Sequence, residues 1–306
     1  MQSLSSVGTN SQKSNYSIKT STPPKNKKDN IPKHICAGIL GNLVANQISN
    51  FSKLPINQMA NSAFRDVIEN NELYKESFIK VLDNSNLKQK GLKVIKAQDL
   101  TEEGIDILIR DCKPKWLEQT PKFYQQLVEK TDRIIINETK AGLNACFLQK
   151  LNVIALNTEK ILGMGFHELG HAINYNNNNI LRTLSKIKSP ISVLTIPICM
   201  IAAFKPKKQE GEKPKNIIDK TTTFVKNNAG KLAFSAMLPQ LIEEGCASIK
   251  AAQIAKPLLS KQAFKLMNKA NATGWLTYFG SAVALGIGAM TASWVHDKIT
   301  EPSKNK

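Results

Sequence analysis

The sequence predicts a mainly α-helical protein with one small antiparallel β-sheet and several apolar helices associated with a membrane. Three observations carry this expectation. Apolar residues recur at helical spacing through long stretches before residue 131 and after residue 157, whereas short alternating runs occur only near 92–97 and within 132–157. Three segments, 190–204, 232–242 and 272–295, are almost purely apolar.

Taken in order, residues 1–33 are rich in Ser, Asn, Lys and Thr, the composition of a disordered basic tail. Residues 34–130 form a helical N-terminal region. Its first segment, 35–51, has one broad apolar face but is short for a bilayer span. Residues 55–90 are amphipathic, Leu92–Ala97 alternates like a strand, and 101–112 and 118–130 are helical.

The domain expected over 131–300 opens with strands at Arg133–Asn137, Ala145–Phe147 and Asn152–Leu156, with Gln149 and Lys150 in the last turn. A helix then starts near Thr158, a suitable side-chain cap, with Glu159 in its first turn. It ends in the Asn176–Asn179 run, because Asn tolerates the left-handed conformation that stops helices. Pro190–Phe204 follows, then Lys205–Lys231 with eight Lys against three acids, then Leu232–Ile242. Ala272–Val295 has 24 residues without a charge, enough to cross a bilayer with some tilt. Trp275, Tyr278 and Trp294 near its ends suit a membrane helix.

The 306 residues carry a net charge of +18 and 42% hydrophobic residues, so a sizeable core can form and anionic surfaces attract the chain. Arg is rare and few aromatics interleave with the Lys, which argues for a membrane surface and against specific nucleic-acid recognition. Five widely spaced Cys, with no Cys-x-x-Cys, fit a reducing compartment better than a disulfide framework. No apolar h-region lies in the first 30 residues, so no secretory signal is expected.

The chemistry is concentrated in His167-Glu168-Leu169-Gly170-His171. On a helix, positions i and i+4 share a face, so both imidazoles can meet one metal ion. Glu168 lies about 100° further round and is placed to act on a water at the open coordination position. It is the one charge between Lys160 and Arg182, and an ionisable group in so apolar a helix needs a partner. Zinc sites that do catalysis take three protein ligands. Glu244 is the first choice for the third, with the neighbouring Glu243 second, because paired acids beside Leu241, Ile242 and Ala247 are odd on a solvated face.

In these residues the chain resembles the gluzincins, and most closely the membrane zinc endopeptidases that include HtpX and the CAAX prenyl proteases. Asn144-Ala145 matches the family's strand segment, the His pair matches its H-E-x-x-H, and Glu244-Gly245-Cys246-Ala247-Ser248 matches its E-x-x-A-D except at the last place. The resemblance covers roughly 130–250 and implies a zincin-like α+β core. It implies that His167, His171 and Glu244 bind Zn2+, that Glu168 is the general base, and that Asn144 and Ala145 pair with substrate backbone. Ser248 departs from the family's Asp, which orients a ligand His. The family's downstream His-Pro and Arg pattern is missing, which leaves Tyr278 and His296 as downstream donors for an oxyanion.

The expected function is therefore zinc-dependent hydrolysis of a protein or peptide at a membrane, with the active site facing the cytoplasm. The Asn152–Leu156 strand offers an edge for an extended peptide. Topology adds a constraint: His171 and Glu244 must meet, so 190–204 and 232–242 either both stay out of the bilayer or enter and return as a hairpin. The rival expectations are a metal-binding membrane protein without catalysis and a soluble regulatory zinc peptidase with the apolar stretches buried in its core.

Overall fold

A computed structural model describes residues 31–208 and 212–301. The expected basic tail lies outside the described residues except for 31–33, which open helix α1 (Ile31–Glu69). That helix runs unbroken through Pro55, joining two segments that the sequence separates. Helix α2 (Glu72–Asn84) follows, and the helical run expected to reach residue 90 stops there, in a turn closed by Gly91 at φ 81°.

Three strands form one sheet among the described residues: β1 (Lys93–Lys96), β2 (Ala145–Leu148) and β3 (Val153–Leu156). Their order is β1-β3-β2, with β1 parallel and β2 antiparallel to β3. The sheet is thus mixed, not antiparallel as expected. The cause is the connection from β1 to β3, which passes through helices α3 (Glu102–Cys112), α4 (Lys115–Glu118) and α5 (Lys122–Ala141) and returns the chain in the same direction. A tight turn joins β2 to β3, with Asn152 at φ 53°. β3 is the central strand, so the edge expected at Asn152–Leu156 is not free.

The strand expected at Arg133–Asn137 is instead part of α5. Its Ile136 packs with Ile105, Leu108 and Ile109 of α3, so a β-branched run becomes one face of a helix pair. Tertiary packing overrides local propensity here.

Helix α6 (Leu162–Asn177) carries the histidines and crosses the main core. Leu162, Phe166, Leu169 and Ala172 pack with Val67, Tyr74, Phe78, Ile154, Ala251 and Met267. One core therefore unites residues from before 131 and after it. The helix begins at Leu162, later than expected, and its cap is tertiary: Asn71, between α1 and α2, accepts the Leu162 N–H through its side chain. It ends at Asn177 because extended Asn178 caps the next helix, α7 (Asn179–Val193), by accepting from Ile180 N and Leu181 N. Asn acts there as a cap and not through a left-handed conformation.

After α7 come α8 (Thr195–Phe204), α9 (Ile217–Asn227), α10 (Ala229–Ala236), α11 (Leu238–Ala255) and α12 (Lys261–Thr300). The long α12 is the spine. Helix α1 runs antiparallel beside it, from Phe64 at Gly274 to Gly41 at Ala292 and His34 at His296. Helices α8 and α10 pack on the same stretch of α12. Asn179–Phe204 and Lys261–Thr300 are each long and apolar enough to cross a membrane. The expected apolar segment 232–242 is divided between α10 and α11 at Met237. Outward-facing Leu43, Phe51, Met200, Met290 and Trp294 leave the bundle of α1, α8, α10 and α12 with an apolar exterior.

Helices α6 and α11 touch through Gly170, where an added Cβ would run into the Ala247 carbonyl and backbone. Backbone cannot yield as a flexible side chain can. Gly170→Ala is expected to destabilise the fold by about 1–3 kcal/mol, as overpacking does, and to move α11 off α6; thermal melting checks the first and the metal-binding measurements below the second.

Candidate metal centre

The elements that α6 and α11 bring together are side chains some seventy positions apart. His167 and His171 project one turn apart from one face of α6, and their rings meet edge to face with centroids 4.6 Å apart. Glu244 Oε2 lies 3.3 Å from His167 Nε2 and 3.4 Å from His171 Nε2, and the two Nε2 atoms are 3.0 Å apart. Three atoms so spaced can all sit about 2.1 Å from one centre, the bond length of zinc to imidazole or carboxylate.

The other ring nitrogens are also held. Glu243 Oε1 is 2.6 Å from His171 Nδ1, and Ser248 Oγ is 3.3 Å from His167 Nδ1. Such outer partners fix ring orientation and tautomer, which aims each Nε2 at the common point. Glu243 therefore orients His171, while Glu244 faces both imidazoles. Ser248 thus reaches His167 from α11.

Lys188 of α7 completes the cluster, and sequence reasoning missed it. Its Nζ lies 2.6 Å from Glu243 Oε2 and 3.5 Å from Glu244 Oε1. Each carboxylate gives one oxygen to the histidines and the other to the ammonium. The available signal was a lysine two residues before an apolar run, opposite an acid pair that needs a cation.

Glu168 is 6% exposed, and one carboxylate oxygen lies within 4.8 Å of ligand nitrogens on both histidines. Burial raises the Glu168 pKa, and His171 and His167 only partly oppose this. Burial would also lower that of His171, but Glu244 and Glu243 outweigh it and hold it at about 10. Glu244 stays well below the usual carboxylate range despite burial, because His171, His167 and Lys188 favour its charge.

Asn144 and Ala145 stand at the start of β2, the strand next to α6 with one side unpaired in the sheet. The Asn144 side chain accepts the Ala145 N–H at 2.8 Å. Trp275 donates from Nε1 to the Leu241 carbonyl at 3.0 Å, which ties α12 to α11. Tyr278 lies one turn further along α12. His296 is not part of the site. It stacks on His34 at the opposite end of the bundle, 21 residues and about 31 Å along the helix from Trp275.

Compared with known protein families, curated proteins and solved structures, the chain matches none.

Removing Lys188 leaves two buried carboxylates with one cationic partner. Lys188→Met is expected to lower metal-free stability by about 3–5 kcal/mol, as breaking a buried ion pair does. Glu243 and Glu244 both have lowered pKa values, so their contribution is present above about pH 4.5 and fades as pH falls. The deficit should accordingly shrink in acid, and melting curves of both proteins from neutral pH to well below about pH 4.5 measure it.

Proposed function

We propose that the chain is a zinc-dependent metalloendopeptidase at a membrane. The observation that carries this reading is the convergence of His167 Nε2, His171 Nε2 and Glu244 Oε2 within 3.0–3.4 Å, with Glu168 alongside. The donor set suits zinc in type and number, since three protein ligands leave a fourth tetrahedral position for water. The gluzincin resemblance assigns the same four residues.

Bound zinc would acidify a water and polarise a peptide carbonyl. The chain's own residues do the rest. Glu168 accepts the water's proton and delivers it to the leaving nitrogen. Glu243 and Ser248 keep the imidazoles turned inward, and Lys188 keeps the Glu244 carboxylate facing them. A substrate strand pairs with the open edge of β2 near Asn144 and Ala145, and Tyr278 is the available donor for the oxyanion. Apolar stretches of Asn179–Phe204 and Lys261–Thr300 sit in the bilayer, with the metal centre at one end of them.

A second reading is a metal-binding membrane protein without catalysis. Lys188 favours it, because an ammonium already neutralises part of the acid pair and would weaken the pull on a dication. Zinc bound with no hydrolysis of any unfolded protein would support that reading.

The purified chain is expected to hold one zinc, lost in His167→Ala and in Glu244→Ala. Glu168→Gln should keep the metal and lose roughly 10²–10⁴ in turnover, the usual size of a general-base contribution. Near wild-type hydrolysis by that variant would remove Glu168 from its role.

Zinc must displace the proton on His171, whose pKa stands near 10 in the metal-free chain. Affinity should therefore rise with pH up to that value, and uptake at neutral pH should release about one proton per ion. Calorimetry in two buffers of different ionisation enthalpy gives that number; zero would mean that His171 does not bind the ion.

A further inference from the structure

Helix α9 has its polarity reversed. A surface helix ordinarily turns its apolar stripe inward. Here the inward side carries charge: Asp219 pairs with Lys205 at 2.7 Å and Lys208 at 2.6 Å. Lys226, buried, pairs with Asp297 at 2.9 Å and donates to the Ala202 carbonyl. The outward side carries Ile217, Ile218 and Phe224, which are 79%, 71% and 59% exposed. On a helix these positions fall within one arc of about 120°. Asn216 caps the helix by accepting the Asp219 N–H, so the stripe is presented on a formed helix and not on a loose loop.

Position and charge say what would cover this face. The helix follows Phe204, where the apolar segment Asn179–Phe204 ends, and Lys226 ties it to Asp297, near the end of Lys261–Thr300. Both candidate spans therefore finish beside it. Lys207, Lys213, Lys215 and Lys220 are exposed around the stripe. Among the described residues of this stretch the acids are Glu212 and Asp219, and Asp219 is engaged by Lys205 and Lys208. A short apolar face rimmed by lysines at the end of a membrane helix has the pattern of an interfacial anchor.

We propose that α9 lies at the headgroup level of an anionic phospholipid leaflet, with Ile217, Ile218 and Phe224 inserted and Lys207, Lys213, Lys215 and Lys220 on the phosphates. This rests on the membrane association proposed above and is independent of the metal centre.

The test places the full chain in nanodiscs of phosphatidylcholine, with and without phosphatidylglycerol, and follows hydrogen exchange over 217–227. Exchange is expected to be at least about fivefold slower with the anionic lipid, the factor for a single lysine at such a surface, and high salt should remove the difference. The triple variant Ile217→Ser, Ile218→Ser, Phe224→Ser should lose the lipid effect and keep the zinc content of the unaltered chain. Equal exchange in the two lipids overturns the inference. So does protection that grows with protein concentration in detergent, which would assign the face to a second copy. A chain that carbonate strips from membranes and that fails to enter nanodiscs overturns the membrane reading along with it.

Discussion

Glu243 and Glu244 are adjacent, buried and charged, and two carboxylates removed from water must be met by cations and hydrogen-bond donors or they will not stay ionised. The surrounding structure answers that requirement from two directions. Helix α6 supplies two imidazoles to one oxygen of each acid or its neighbour, and α7 supplies the Lys188 ammonium to the others. The same contacts aim the imidazole Nε2 atoms at a common point. Neutralising the acids and gathering donors that could hold a metal are thus one act of packing.

That packing depends on backbone meeting backbone. Leu169 anchors α6 in the core, and Gly170 lets the Ala247 backbone of α11 come close enough for Glu244 to reach both histidines. The Trp275 hydrogen bond then ties α11 to the α12 spine. The site consequently sits at one end of the bundle of α1, α8, α10 and α12, while His34, His296, Asp297 and Lys226 meet at the other.

The same arrangement resolves a difficulty in the order of the chain. After His171 the chain departs through α7 and α8, whose combined apolar run is long enough to cross a membrane. It comes back through α10 to α11 and Glu244. Because α8 and α10 both pack on α12, the outward and return paths are neighbours, and α6 and α11 meet at the same end of the bundle. Lys188 lies on the outgoing path, so the apolar excursion is itself fastened to the acid pair.

What the sequence determined was local. The i, i+4 spacing put two histidines on one face, and the absence of other charges marked Glu168 as exceptional. Two acids among apolar neighbours marked the third contributor, and alternation located β1, β2 and β3 within a few residues. What only the tertiary structure decided was everything set by contacts distant in the chain. The Ile-rich run at 133–137 became helix because α3 offered it a partner face. The sheet became mixed because a helical crossover reverses nothing, and β3 lost its expected edge to β1. The division of labour between Glu243 and Glu244, and the entry of Lys188, depend on which oxygen faces which neighbour. Spacing along a helix cannot specify that, because it follows from how closely two backbones approach.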